Sequence, residues 1–128
     1  MALHESGEMY LETILILSQR NGYVRSVDVA EYMDFSKPSV SRAVGILVAE
    51  GYLEVGRDGG LLLTDSGRKI AETIYERHEV LSNLLMKLGV SEENAVADAC
   101  RIEHDISVET FDAIKRAAAK LVSEESPA

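Results

Sequence analysis

A thiol, a carboxylate and an imidazole stand close together in the last third of the chain. Cys100, Glu103 and His104 occupy positions i, i+3 and i+4, a spacing that places three side chains on one face of a helix. Each residue alone has an ordinary interpretation, as a small core hydrophobe, a solvated carboxylate or hydrogen-bonded structure. In combination, the three donor types favour a site for a transition metal.

Three further residues offer donor atoms elsewhere in the sequence. Met9 and Glu12 are separated by three positions on a predicted first helix, and His78 falls in the middle of a long predicted helix. Met9 alone is more typical of a core, and His78 of a surface or capping group. If the first helix packs beside the helix of Cys100, each of the three can complete a coordination sphere.

Helical periodicity and capping residues predict which elements position these donors. Three helices are predicted in the first part of the chain, over about Ser6–Ser18, over Val27–Met33 with Ser26 as N-cap, and from the N-cap Ser36 to about Gly51. The glycine-rich segment 56–60 separates two β-prone runs and predicts a hairpin. Two helices joined by a tight turn and followed by a hairpin form a winged helix-turn-helix.

The second half of the chain is predicted to be helical. A long helix begins at Thr64 and runs to about Leu88, and two more helices are expected over about 91–106 and 107–122. The predicted fold is therefore mostly α with a small β-hairpin wing. We expect a winged helix-turn-helix DNA-binding domain over residues 1–70 and a helical metal-binding domain over residues 71–128.

The second helix of a helix-turn-helix enters the major groove of DNA, and its N-terminal residues reach the base edges. In this chain the predicted DNA-binding residues are hydroxyl-bearing, cationic or small: Ser36, Lys37, Pro38, Ser39, Ser41, Arg42 and, in the wing, Arg57. We expect Arg42 to contact guanine and Lys37 and Arg57 to bind phosphates. Arg25, Arg68 and Lys69 are weaker candidates. The alternative is that these side chains simply solvate a helix face.

Composition limits the classes of partner. The net charge of −9 excludes indiscriminate binding to polyanions, so contact with DNA must be local. The longest segment without polar side chains, Ala43 to Ala49, is far shorter than the ~20 residues that span a membrane. With one cysteine no internal disulfide forms. We therefore expect a cytoplasmic protein with no membrane partner.

Two segments carry a family resemblance, EMYLETI at positions 8–14 and ACRIEHDIS at positions 99–107. Over nearly its whole length the chain resembles the DtxR/MntR family of metal-dependent repressors, named for the diphtheria toxin repressor and the manganese transport regulator. The resemblance implies a homodimer, in which residues 71–128 are the dimerisation domain as well as the metal-binding domain, that binds palindromic operator DNA and represses metal-uptake genes when metal is abundant. It also implies a two-domain form without the SH3-like third domain of longer members.

The resemblance implies a mixed set of metal ligands. Residues that match the primary site of the iron-responsive branch are Met9, Cys100, Glu103 and His104. Glu12 and His78 instead match ligands of the manganese branch, while Ser82 and Val96 stand where ancillary ligands are expected. Because soft sulfur donors favour metals later in the series than manganese, we expect Fe²⁺ as the physiological co-repressor. Mn²⁺ is the second candidate, and Co²⁺, Ni²⁺ and Zn²⁺ are expected to bind in vitro.

Our hypothesis for the switch is that metal ties Met9, in the DNA-binding half, to Cys100, Glu103 and His104 in the regulatory half. Two other classes of protein compete with this interpretation. A small metallohydrolase would use His78, Glu103 and His104 around a metal-bound water, but the paired-histidine zincin motif is missing. A winged-helix regulator without metal would use Cys100 as an oxidation sensor.

Overall fold

The structure, a computed structural model, describes the backbone of residues 5–125 and the side chains of residues 6–121. The elements of this described part are α1 (Glu5–Asn21), α2 (Ser26–Met33), α3 (Lys37–Ala49), β1 (Leu53–Val55), β2 (Leu61–Leu63), α4 (Asp65–Lys87), α5 (Glu92–Ile102) and α6 (Val108–Glu125). The prediction of a mostly helical chain with one hairpin is confirmed. The chain forms two compact units that divide within α4, between Thr73 and Ile74.

The core of the first unit forms where α1, α2 and α3 pack against one another and against the hairpin. Leu11, Ile14 and Leu15 of α1 are at most 1% exposed, because their helical spacing places them on one side of the helix. Val40 and Leu47 fill the same core from α3. The apolar periodicity of α1 and α3 therefore sets the orientation in which α3 exposes its N-terminal turn.

Local hydrogen bonds define the turn between α2 and α3. Asp34 adopts the left-handed conformation with φ of 57°, and Ser36 is the N-cap of α3, its Oγ accepting from the Ser39 N–H at 3.3 Å. The predicted cap at Ser36 is thus confirmed. The predicted cap at Ser26 was wrong by one residue: the N-cap of α2 is Arg25, because the Asp28 carboxylate accepts from the Arg25 N–H at 2.8 Å.

The hairpin is antiparallel, with Leu53 opposite Leu63 and Val55 opposite Leu61. It is connected to α4 through Thr64, whose hydroxyl donates to the Gly51 carbonyl at 2.7 Å and accepts from the Gly67 N–H at 3.1 Å. A Cβ at Gly67 would collide with the main-chain oxygen of Tyr52. The helix can approach the start of the hairpin this closely only because residue 67 has no side chain.

In the second unit, the C-terminal part of α4 is followed by α5 and α6, and both later helices have serine N-caps. Ser91 accepts from the Asn94 N–H at 3.3 Å, and Ser107 accepts from the Thr110 N–H at 3.1 Å. The helix predicted to reach about residue 106 ends earlier, at Ile102. Within the described residues, no helix is long and apolar enough to cross a membrane.

Candidate metal centre and nucleic-acid interface

Two helices of the second unit bring together a histidine, a cysteine and a glutamate. His78 lies in the middle of α4, Cys100 in the last turn of α5, and Glu103 is the C-cap of α5. One donor atom of each lies within 4.8 Å of the others. His78 Nδ1 is 2.9 Å from Glu103 Oε2. Glu103 is fully buried, His78 is half-buried and Cys100 is exposed.

The Glu103 carboxylate lies between two imidazoles. Its Oε1 is 3.3 Å from Nε2 of His104, whose side chain is 1% exposed. The prediction that Cys100, Glu103 and His104 share one helical face is met only in part: Glu103, the C-cap of α5, keeps helical backbone angles and its N–H donates to the Ala99 carbonyl, whereas His104 lies in the turn that follows. The partner that joins Cys100 and Glu103 in one cluster is His78.

A buried arginine explains this early end of α5. Arg77 Nη1 donates to the main-chain oxygens of Glu103 at 3.0 Å and Ile106 at 2.9 Å. Its guanidinium carbon lies 5.3 Å from the centre of the Phe111 ring, a distance typical of a cation–π contact. Because Arg77 takes these carbonyls and Ser107 begins α6, the chain turns between the two helices.

Arg77 was not among the functional residues predicted from the sequence. The available signal was its position in the apolar face of α4, where Ile74, Arg77 and Leu81 follow one another at helical spacing. A cation in such a stripe must find hydrogen-bond partners inside the fold. Its neighbour in the sequence, His78, belongs to the candidate metal centre, so Arg77 lies next to that centre.

Hydrogen bonds to Cys100 and, secondly, to Glu103 raise the pKa of His78 to about 10, and burial opposes this rise. The two acidic partners thus stabilise positive charge at this point of the structure. A thiolate, an imidazole and a carboxylate are also the donor types that transition metals bind. By both charge and donor chemistry, the cluster fits a divalent transition metal ion.

The other predicted ligands belong to α1 of the first unit. Glu12 is 7% exposed, an unusual environment for a carboxylate, and Met9 is half-buried. Their participation in a metal site stays a prediction. Of the two positions where ancillary ligands were expected, Ser82 is buried on α4 and Val96 is exposed on α5.

The predicted DNA-binding residues form an exposed surface on the first unit. The N-terminal part of α3 exposes Ser36, Lys37, Pro38, Ser41 and Arg42, and its first turn carries no acidic residue. Ser39 is half-buried, and its hydroxyl accepts from the Ser36 hydroxyl at 2.8 Å. Arg57 is exposed in the loop between the hairpin strands, and the weaker candidates Arg25, Arg68 and Lys69 are exposed as well.

Known proteins resemble the chain in sequence and in fold. The HTH-type transcriptional regulator MntR of Geobacillus kaustophilus is 41% identical over 109 residues, which cover 85% of this chain and 77% of that protein. The solved manganese regulator SloR superposes with a TM-score of 0.77 at 28% identity, covering 91% of this chain and 54% of SloR. A manganese-dependent transcriptional repressor solved in complex with manganese gives a TM-score of 0.81 at 25% identity, covering 88% and 52% of the two chains. The chain thus spans about half the length of these solved chains.

Two family models together match most of the sequence. Residues 2–61 match the N-terminal DNA binding domain of the iron dependent repressors, and residues 64–124 match their metal binding and dimerisation domain. The similar proteins are transcriptional regulators and not enzymes, which removes the metallohydrolase alternative. The chain belongs to the iron-dependent repressor family, also known as the DtxR/MntR family.

Proposed function

We propose that this protein is a transcriptional repressor whose affinity for operator DNA rises when it binds a divalent transition metal. The observation that carries the proposal is the convergence of His78, Cys100 and Glu103, with donor atoms within 4.8 Å of one another. The match of the two halves to a DNA binding domain and to a metal binding and dimerisation domain supports it. The protein acts in the cytoplasm, as a homodimer.

In this proposal α3 lies in the major groove. Arg42 contacts a guanine, since a guanidinium can donate two parallel hydrogen bonds to its edge. Lys37 and Arg57 bind phosphates and set the position of the protein on the duplex. The exposed serines of the first turn of α3 offer hydroxyls to phosphates or bases. A dimer presents two such helices to a palindromic site.

The proposed metal ligands include all six residues that the sequence predicts. Cys100, Glu103, His104 and His78 would hold the ion, and Met9 and Glu12 of α1 are the further candidate ligands. A divalent cation supplies the positive charge that lets thiolate and carboxylate donors from separate elements converge. A ligand shifts the equilibrium between two conformations only by its difference in affinity for them. In this proposal, Met9 and Glu12 belong to the DNA-binding domain, so their donation makes the affinity for metal differ between the conformation that binds DNA and the one that does not.

We propose Fe²⁺ as the physiological metal on the basis of the donor set. The thiolate of Cys100 and the thioether of Met9 favour Fe²⁺ over Mn²⁺, because soft donors prefer the later metals. Mn²⁺ is the second candidate, since similar proteins carry the name MntR and one solved relative was obtained with manganese. The two ions are distinguished by measuring which one induces DNA binding at its cellular concentration.

Fluorescence anisotropy tests the proposal. The probe is a duplex selected from a random-sequence pool by the metal-loaded protein, titrated anaerobically with Fe²⁺, with Mn²⁺ and with a chelator. We expect the protein to bind the duplex tightly with metal and weakly with chelator, and we expect His78→Ala to abolish this difference in affinity. The exposed Glu92→Gln on α5 serves as a matched control. Equal binding with and without metal would overturn the proposal.

Treatment with peroxide distinguishes the metal-dependent repressor from the remaining alternative, a redox sensor that uses Cys100. A metal-free redox sensor loses DNA binding on oxidation of Cys100, and the Cys100→Ser variant then binds DNA constitutively without metal. A metal-dependent repressor instead requires metal in every reduced sample. The same anisotropy assay, repeated after treatment with hydrogen peroxide, reads both outcomes.

A further inference from the structure

The segment that joins α1 to α2 lies against the hairpin and is hydrogen-bonded to it at two points. Leu61 N–H donates to the Val24 carbonyl at 2.7 Å, and the Tyr23 hydroxyl donates to the Asp58 carbonyl at 3.0 Å. The second bond reaches across thirty-five positions to the loop of the wing. A two-stranded hairpin is marginally stable by itself, so these contacts add to the packing of the helices in holding the wing.

We propose that Tyr23 is a positioning residue for DNA binding, which holds the wing loop so that the neighbouring Arg57 meets the phosphate backbone. This inference rests on the proposed function. Tyr23 touches no DNA in it, and acts only through the loop that carries Arg57.

Packing against a glycine supports the proposal. A Cβ at Gly60 would lie 2.7 Å from Cε2 of Tyr23, so the tyrosine ring occupies the space that any other side chain at position 60 needs. Gly59, with φ of +85°, makes the preceding turn. The ring is nevertheless 45% exposed, which core packing alone does not explain. A half-exposed ring with a hydrogen-bonded hydroxyl is suited to fixing a loop.

The Asp58 carboxylate, next to Arg57 in the sequence, is hydrogen-bonded within the loop, and Arg57 is exposed. Asp58 Oδ1 accepts from the Gly60 N–H at 3.1 Å, and this bond, the largest of several causes, lowers the pKa of Asp58. The carboxylate is thereby occupied within the loop. Arg25 lies on the same side, its Nη2 3.6 Å from the point where a Cβ of Gly59 would be. Asp58, whose negative charge repels DNA phosphates, thus has a structural role in the loop that presents Arg57.

A double-mutant cycle tests this route. The variants are Tyr23→Phe, Arg57→Ala and the combination, each measured by anisotropy with the selected duplex and Mn²⁺ over a range of salt concentrations. Tyr23→Phe removes one hydrogen bond and should weaken binding by about threefold to tenfold. In the Arg57→Ala background the same change should have almost no effect, because the residue through which it acts is gone. Tyr32→Phe is the control, since Tyr32 is similarly exposed, at 47%, and its hydroxyl has no hydrogen bond within the described residues.

Two further measurements test the same proposal: the salt dependence of DNA affinity and the effect of a Gly60→Ala variant. Arg57→Ala should lower the slope of log affinity against log salt by about one, and Tyr23→Phe should lower it partly. Gly60→Ala, which displaces the ring, should weaken binding in the wild type but not in Tyr23→Ala. Thermal melting of each variant reports folding independently. Equal losses in the two Arg57 backgrounds would overturn the role of Tyr23 while leaving the repressor intact; a wild type that selects no duplex overturns both.

Discussion

Arg77 and Glu103 are joined through the main chain: Arg77 Nη1 donates to the Glu103 carbonyl oxygen at 3.0 Å, while the Glu103 carboxylate faces His78. Two consecutive residues of α4 therefore bind two ends of the same glutamate. Arg77 is 8% exposed, and its charge is compensated by two carbonyls and the Phe111 ring. We interpret this arginine as the support that fixes the turn carrying Glu103 and His104.

Replacement of Arg77 by lysine should weaken the candidate metal centre. A single ammonium cannot reproduce the planar contact with Phe111 and the two carbonyl bonds together. We expect metal affinity to fall by about tenfold to a hundredfold, the range found for groups that orient ligands. Titration with Co²⁺, followed by its visible spectrum, measures the affinity, and thermal melting of the metal-free protein measures stability. Arg101→Lys is the control, because Arg101 is 82% exposed; an equal loss in both variants would contradict the prediction.

Replacement of Cys100 by serine should change metal preference as well as affinity. The hydroxyl is a harder and weaker donor than a thiolate, so we expect a larger loss for Fe²⁺, Co²⁺ and Zn²⁺ than for Mn²⁺. Competition titrations with a fluorescent chelator measure each ion. Asp98→Asn, an exposed change two positions away on α5, should leave all four affinities unchanged. A uniform loss across the ions would contradict the predicted change of preference, and unchanged affinities for all four ions would show that Cys100 is not a ligand.

The Met9→Asp substitution tests the participation of α1. A carboxylate in place of the thioether should shift the preference from Fe²⁺ towards Mn²⁺, because hard donors suit the earlier ion. The same titrations, paired with DNA binding in each metal, measure the shift. Met86→Asp, a half-buried methionine of α4, is the matched control. An unchanged preference in Met9→Asp would remove Met9 from the metal site.

Two cations of α3 should affect DNA binding in different ways. Arg42→Ala should cost about 1–3 kcal/mol of operator binding and relax specificity at one base position, as expected for a bidentate base contact. Lys37→Ala should weaken binding to all sequences alike and lower the salt slope by about one. Anisotropy with the selected duplex and with single-base variants separates the two patterns. If both variants weaken every duplex equally, Arg42 is a phosphate contact.

Two glycines should respond oppositely to alanine. At Gly67 a Cβ would collide with the Tyr52 carbonyl oxygen, so Gly67→Ala should destabilise the fold by about 1–3 kcal/mol or more. At Gly45, an exposed position of α3, no atom lies within 4 Å of the added Cβ, and Gly45→Ala should stabilise by about 0.5–1 kcal/mol. Urea denaturation of the metal-free protein measures both. A Gly67→Ala variant as stable as the wild type would show that the chain relaxes at Tyr52.

The helices and the wing were predictable because their limits are local. Ser36, Thr64, Ser91 and Ser107 each accept a backbone hydrogen bond from the residue three positions later, and such caps can be recognised in sequence. The end of α5 was not predictable in this way. Arg77, which binds the carbonyls beyond it, lies twenty-six positions before Glu103 in the sequence, so the signal exists only after folding.

In the candidate site too, local spacing was predictable from the sequence and long-range contacts were not. Spacing alone selected Cys100, Glu103 and His104, but it assigned them to one helix face, whereas the structure groups Cys100 and Glu103 with His78. The contribution of His78 depends on how α4 packs against α5, which periodicity does not specify. Tyr23 escaped notice for a similar reason, since its partner Asp58 lies in another turn.

The exposure of the single cysteine gives the protein a built-in chemical reporter. A thiol that is open to solvent reacts readily with maleimides, and coordination by an ion withdraws the sulfur from that reaction. The rate of alkylation therefore measures occupancy of the centre in a purified sample. No second thiol in the sequence contributes background to such a footprint.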